Sequence, residues 1–176
     1  MDYWRSLSLF AHQYLSAVHI LTSVSDPSDQ PDAFAVGPVY NTLGLATELA
    51  LKATLSKELG FRKEKLKRLG HDLHALYVAC DKAFDREEFE RDVFVWAGTS
   101  LDIPQSAQNH YSDLGLSEKT YLHFSIQLAA LNYNYFSEPN TLERFATRYP
   151  NDTLTAREVR VQIITYGLER ILCRLH

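Results

Sequence analysis

The sequence predicts a single all-α domain. Three observations carry this. Apolar residues recur at steps of three and four through several long windows, only 7 Gly and 6 Pro interrupt the 176 residues, and 10 Tyr, 9 Phe and 2 Trp supply bulky core material. So little turn punctuation leaves no room for a sheet of many short strands. At 45% hydrophobic and 23% charged residues, the chain has the make-up of a globular domain spanning 1–176, not of a disordered tail or a disulfide-stapled miniprotein.

The elements follow in order. Trp4, Leu7, Phe10 with Ala11, Tyr14, Val18 and Leu21 predict an amphipathic helix from Tyr3 to about Val24. Residues 25–38, rich in Pro and Asp, read as a surface loop. Val39 to Leu59 is the central helix, closed by Gly60, and its Leu43, Leu45, Leu49, Leu51 and Leu55 occupy so much of the circumference that protein must surround it. A cationic linker, Phe61 to Leu69, precedes a helix from Gly70 to about Phe84, capped by Asp72 or His71, with Leu73, Leu76, Tyr77 and Cys80 inward. Asp85 and Glu88 form a capping box for a short helix through Trp96. Residues 97–116 read as irregular. Ser117 to Phe136 has helical period, with Tyr121, Phe124, Leu128, Leu131 and Tyr135 as its stripe. After a turn-rich connector over 137–154, Thr155 to Glu158 is a second capping box, opening a last helix with Val159, Ile163, Tyr166, Ile171 and Leu175 inward.

Net charge is −4, so the surface as a whole is not the basic coat of a protein that grips nucleic acid everywhere; any such contact must be local. Cys80 and Cys173 have no metal or redox spacing and read as small buried hydrophobes in a reducing compartment. With no signal peptide and no apolar run approaching a membrane span, the expected location is the cytoplasm. No phosphate-cradling glycine loop, zinc-protease helix, nucleophile elbow or carboxylate cluster is present, so neither metal nor cofactor is expected.

The strongest local pattern is Glu48 and Lys52, four apart on a helix face that looks at least half buried, followed by Gly70-His71-Asp72-Leu73. Its plain reading is structural: the pair neutralises itself and steadies the start of the helix at His71. Its functional reading is a polar pocket in which His71, at a helix N-terminus, serves as a base. Lys57, Arg62, Lys63, Lys65, Lys67 and Arg68 against Glu58 and Glu64 make a local +4. With Arg144, Arg148, Arg157, Arg160, Arg170 and Arg174 they could face phosphate, leaving Tyr133, Tyr135 and Tyr149 to stack on bases. The acidic stretch 81–92 could receive a partner protein.

The order of these elements, with Thr47-Glu48-Leu49-Ala50-Leu51-Lys52-Ala53, Gly70-His71-Asp72-Leu73, Leu131-Asn132-Tyr133 and Arg148-Tyr149-Pro150, resembles an uncharacterised bacterial branch of the HEPN superfamily, the higher eukaryotes and prokaryotes nucleotide-binding domains. The resemblance implies an up-and-down bundle of four to five main helices. It also implies a frequent homodimer, RNA or nucleotide as ligand, and a setting among toxin–antitoxin and phage-defence proteins. It gathers Glu48, Lys52, His71, Asp72, Arg148 and Tyr149 into one polar site. Catalytic members resemble one another in an Arg separated from a His by four to six intervening residues, acting on RNA without metal. Here Arg5 to His12, Arg68 to His74 and Arg170 to His176 meet that spacing at a frequency chance explains, and only Arg5 is followed by a polar residue. The expectation is therefore an RNA- or nucleotide-associated module without catalysis. The alternatives are a metal-independent endoribonuclease using His71 or His74 with Arg68 or Arg148, and a scaffold for a partner enzyme.

Overall fold

Leu7, Ala11, Leu15 and Val18 bury one face of α1 (Tyr3–Ser23), as amphipathic spacing requires. Phe10, expected inside, is 53% exposed, because the inward stripe runs through Ser8 and Leu15 instead. The computed structural model describes residues 2–23, 33–136 and 157–176. Among these residues there are eight α-helices and no strand, and no helix is long and apolar enough to cross a membrane.

The axis of the fold is α2 (Ala33–Leu59), which α1 accompanies and against which the later helices over Leu73–Ala79, Phe124–Tyr135 and Val161–Cys173 also pack. Leu43, Ala46, Ala50, Leu51, Ala53 and Leu55 have no exposed surface, which bears out a helix enclosed on most sides. It starts earlier than expected. Residues 33–38 are helical rather than loop, and Pro38 sits in the second turn, forgoing one backbone hydrogen bond. Gly60, at φ 64°, ends the helix in the left-handed conformation that glycine adopts without cost.

The cationic linker is itself helical over α3 (Lys63–Arg68), anchored only by buried Leu66. Asp72 then caps α4 (Leu73–Ala79) by accepting from the amide of Ala75 at 3.0 Å, and a 3-10 turn over Cys80–Lys82 closes it. Asp85 caps α5 (Arg86–Ser100) through the amide of Glu88 at 2.9 Å, and the helix runs four residues past Trp96. Within 97–116 lies a missed helix, α6 (Gln105–Asp113), whose polar sequence buries only Ala107 and so carries no stripe to read. The stripe Tyr121, Phe124, Leu128, Leu131 and Tyr135 is wholly buried, but His123 breaks the expected helix into a 3-10 turn over Glu118–Leu122 and α7 (Phe124–Tyr135). The connector 137–154, with Arg144, Arg148 and Tyr149, lies outside the described residues, as does Thr155. Cys80 is buried, whereas Cys173 is exposed, against expectation.

The last helix, α8 (Val161–Cys173), does not begin at a capping box. Glu158 precedes it and accepts from the hydroxyl of Tyr121 at 3.2 Å. Three buried polar side chains hold the extended residues leading in. Asn134 accepts from the amide of Arg157 at 2.9 Å, the Tyr40 hydroxyl from that of Val159 at 2.9 Å, and Gln127 from that of Arg160 at 2.7 Å. Backbone donors that would otherwise be buried unpaired are thereby satisfied by side chains from α2 and α7.

Two glycines let aromatic rings lie against helix backbone. A Cβ on Gly44 would stand 2.2 Å from Cδ2 of Tyr135, and one on Gly167 would stand 2.4 Å from Cε2 of Phe124. Phe124 also meets Phe89 edge-on at 5.0 Å, so Gly167 seats α8 on the aromatic centre of the core. Gly44→Ala should therefore destabilise the protein by about 1–3 kcal/mol through overpacking, measured by urea denaturation. Gly98→Ala, whose new Cβ would meet only Leu122 at an ordinary 3.9 Å, should not.

Candidate functional site

Four turns of sequence logic meet at Glu48. It lies on α2 one helical turn from Gly44, the residue that admits the Tyr135 ring, and the Tyr135 hydroxyl donates to Glu48 Oε2 at 2.8 Å. Lys52, a turn further on, donates from Nζ to Oε1 at 2.6 Å. His71, just before α4, donates from Nδ1 to Oε2 at 2.9 Å. A carboxylate can only accept, so Nδ1 carries the proton. The side chains of Glu48 and Lys52 are 7% and 11% exposed, while that of His71 is 52% exposed.

The electrostatics follow from this geometry. Burial works to raise the Glu48 pKa, but the bonds from Lys52, His71 and Tyr135 together outweigh it and hold the carboxyl below its ordinary value. Glu48 is thus a buried anion with charge-assisted bonds to both oxygens. It can position the three donors around it. The pair is sealed, and the imidazole is the part of the cluster that reaches the surface.

Asp72 joins from the next residue. Its Oδ1, which caps α4, also accepts from Asn132 Nδ2 at 3.2 Å, and Asn132 Oδ1 accepts from the Leu73 amide at 2.8 Å. The start of α4 is thereby fastened to α7, and His71 is fixed from two sides. Of the expected site, Glu48, Lys52, His71 and Asp72 come together; Arg148 and Tyr149 lie outside the described residues. Tyr135 and Asn132 complete the cluster. Tyr135, expected among surface stackers, has no exposed surface, and its partner was visible only as Gly44 inside a helix otherwise lined with Leu and Ala. His74 is exposed on α4, and Arg68 is exposed at the end of α3.

Family models, curated proteins and solved structures contain no match to the chain. Its chemistry must therefore be read from these side chains.

A second carboxylate cluster was not foreseen. Glu90, on α5, accepts through Oε1 from the Tyr77 hydroxyl at 2.8 Å and the Ser125 amide at 3.0 Å, so it caps α7 from outside. Burial and then the Glu90 charge push the Tyr77 hydroxyl pKa up. Asp92 pairs with Arg170 at 2.8 Å. Both acidic residues, expected as part of a docking face over 81–92, are thus engaged within the fold. Arg157 lies over the Tyr133 ring at 4.1 Å, and Arg174 over Phe84 at 5.4 Å.

The basic segment behaves differently. Lys57 meets Glu58 at 3.6 Å, but among the described residues no carboxylate lies within 4 Å of Arg62, Lys63, Lys65, Lys67 or Arg68. All five are exposed. Aromatic rings are interleaved with them: Lys65 Nζ is 3.3 Å from the centre of the Phe61 ring, Lys63 5.9 Å from that of Tyr3, and Lys57 and Arg5 5.2 and 5.3 Å from that of Trp4.

Removing Glu48 should leave the Lys52 ammonium buried without its counter-charge. Glu48→Gln should cost about 3–5 kcal/mol at pH 7 in chemical denaturation, whereas the double change Glu48→Met with Lys52→Met should cost less than Glu48→Gln alone. Because the folded carboxyl titrates below the unfolded one, its contribution is fully present above about pH 4.3 and is lost as pH falls through the folded value. The wild type should therefore lose its advantage over Glu48→Gln in acid.

Proposed function

We propose that this chain is an RNA-associated helical module of the HEPN type, binding single-stranded RNA without cleaving it, and that it works as a homodimer in the cytoplasm, in bacterial stress response or defence. The observation that carries the reading is the uncompensated cationic edge of α3 with Tyr3, Trp4 and Phe61 set among its charges. Exposed cations with no carboxylate partner within the fold are available to phosphates, and the rings among them offer faces on which bases stack. His71 follows α3 in the chain and stands at the surface with its orientation set by Glu48, so it would border the same strand. The homodimer draws support from Leu9, Phe10 and Ile20, 51%, 53% and 65% exposed on the outer side of α1.

The second reading, metal-independent RNA cleavage, is favoured by one feature. Glu48 holds His71 in the tautomer whose Nε2 is the basic nitrogen, the arrangement a general base needs.

Fluorescence anisotropy with a labelled single-stranded RNA tests the first reading. Binding should weaken steeply between 50 and 200 mM salt. Lys65→Glu with Lys67→Glu should weaken it about tenfold or more and flatten the logarithmic salt slope by about 1.4, at roughly 0.7 per phosphate contact. No binding at the lower salt removes the reading. Incubation with structured RNA in EDTA decides the second: products absent from a His71→Ala control would replace binding with catalysis.

A further inference from the structure

The end of α1, the later turns of α5 and the first turns of α8 enclose a cavity of about 260 Å³. His19, in its lining, stands about four helical turns, or about 21 Å, along α1 from Arg5, so the cavity is separate from the cationic edge of α3. Trp96 and Tyr166 line it with their rings stacked, 4.1 Å apart and inclined by 1°. The polar part of the lining is rich in acceptors. A hydroxyl has one proton to give, and Thr22 gives its own to the Val18 carbonyl at 2.9 Å while Thr165 gives its own to that of Gln162 at 3.1 Å, so both oxygens are left with lone pairs. Glu169 adds a half-exposed carboxylate, 3.3 Å from His19 Nε2. Among the described residues no Lys or Arg lines the cavity, and Arg170, next to Glu169 in sequence, is turned to Asp92 at 2.8 Å.

We propose that this cavity binds a small flat organic cation, a guanidinium or amidinium compound, stacked on the Trp96 and Tyr166 pair with its N–H groups turned to Glu169. The volume lies below the about 300–1,000 Å³ of pockets for drug-sized ligands, so the occupant is small. Aromatic faces attract cations, and a planar, delocalised one stacks on them while its N–H fork matches the two oxygens of a carboxylate. A compact ammonium has the charge without the plane and holds its water more tightly. An anion would meet lone pairs and a carboxylate, with no fixed cation to offset their repulsion. The ligand would share Glu169 with His19, and Gln162, whose carboxamide both donates and accepts, completes the lining without opposing the charge. The site is independent of the RNA reading, and either stands if the other fails.

Proton–nitrogen NMR of the full chain tests this, because the chain has 2 Trp and the indole N–H signal of Trp96 is the one that Trp96→Phe removes. Agmatine, which carries a guanidinium, should shift the Trp96 signal saturably with a Kd of about 1 mM or tighter and leave that of Trp4 in place. Putrescine, with charge but no plane, and butylurea, with the plane but no charge, should each bind about tenfold more weakly or worse. Glu169→Gln, a change at a half-exposed side chain, should keep the folded spectrum and lower the affinity for agmatine by about tenfold or more. Glu118→Gln, which removes an exposed carboxylate elsewhere, should bind as the wild type does. The absence of a saturable Trp96 shift, equal affinity for putrescine or butylurea, or an unchanged titration in Glu169→Gln overturns the proposal.

Discussion

A carboxylate taken out of water is the constraint on which this structure is organised. Glu48 cannot stand on α2 among Leu and Ala unless its charge is met, and three elements meet it: Lys52 from the same helix, His71 from the lead-in to α4, and Tyr135 from the end of α7. Each donor fixes a relation that apolar packing would leave loose. Tyr135 reaches the carboxylate only because Gly44 lets its ring lie on the helix backbone, so the register of α7 against α2 is set by one missing Cβ and one hydroxyl together. His71 reaches it only because Asp72 and Asn132 hold the start of α4 against α7.

The same device recurs where ordinary capping would have served. Glu90 caps α7 from α5, and Tyr40, Gln127 and Asn134 satisfy the backbone entering α8. Each is a polar group far in sequence from what it bonds. Each must find its partner once the apolar faces close, because an unpaired buried amide costs as much as a few methylenes gain. Such long-range polar fittings specify one arrangement of helices where hydrophobic stripes alone permit several.

This explains what the sequence made legible. Elements with a stripe could be read: α1, α2, α4 and the Tyr121 to Tyr135 face were all visible, as were the caps at Asp72 and Asp85, since capping is local. The Glu48, Lys52, His71 and Asp72 cluster was also legible, because charges at helical spacing on an apolar face need an explanation. What stayed hidden depended on tertiary contact. α6 has no stripe, and His123 breaks a period that runs unbroken in sequence. Phe10 left the inward place its apolar side chain suggested, and Tyr135, read both as part of an inward stripe and as a base stacker, kept only the first role. Phe10 faces out, and Tyr135, with a hydroxyl to satisfy, is sealed inside beside the one carboxylate that can accept from it.

Net charge misleads for a related reason. The chain carries 22 acidic against 18 basic residues, yet many carboxylates are spent inside the fold: Glu48 on three donors, Glu90 and Glu158 on tyrosines, Asp72 and Asp85 on caps, Asp92 on Arg170. The cations of α3 have no such engagement and stand on a helix one turn and a half long, held by a single leucine. A six-residue helix gains little from its own hydrogen bonds, so five exposed like-signed charges on and beside it are a cost that Glu64 and the ring contacts of Lys63 and Lys65 offset only in part. An external anion would offset it. The potential that a partner meets is therefore set by which charges folding leaves unpaired, and at α3 its sign is opposite to that of the chain as a whole.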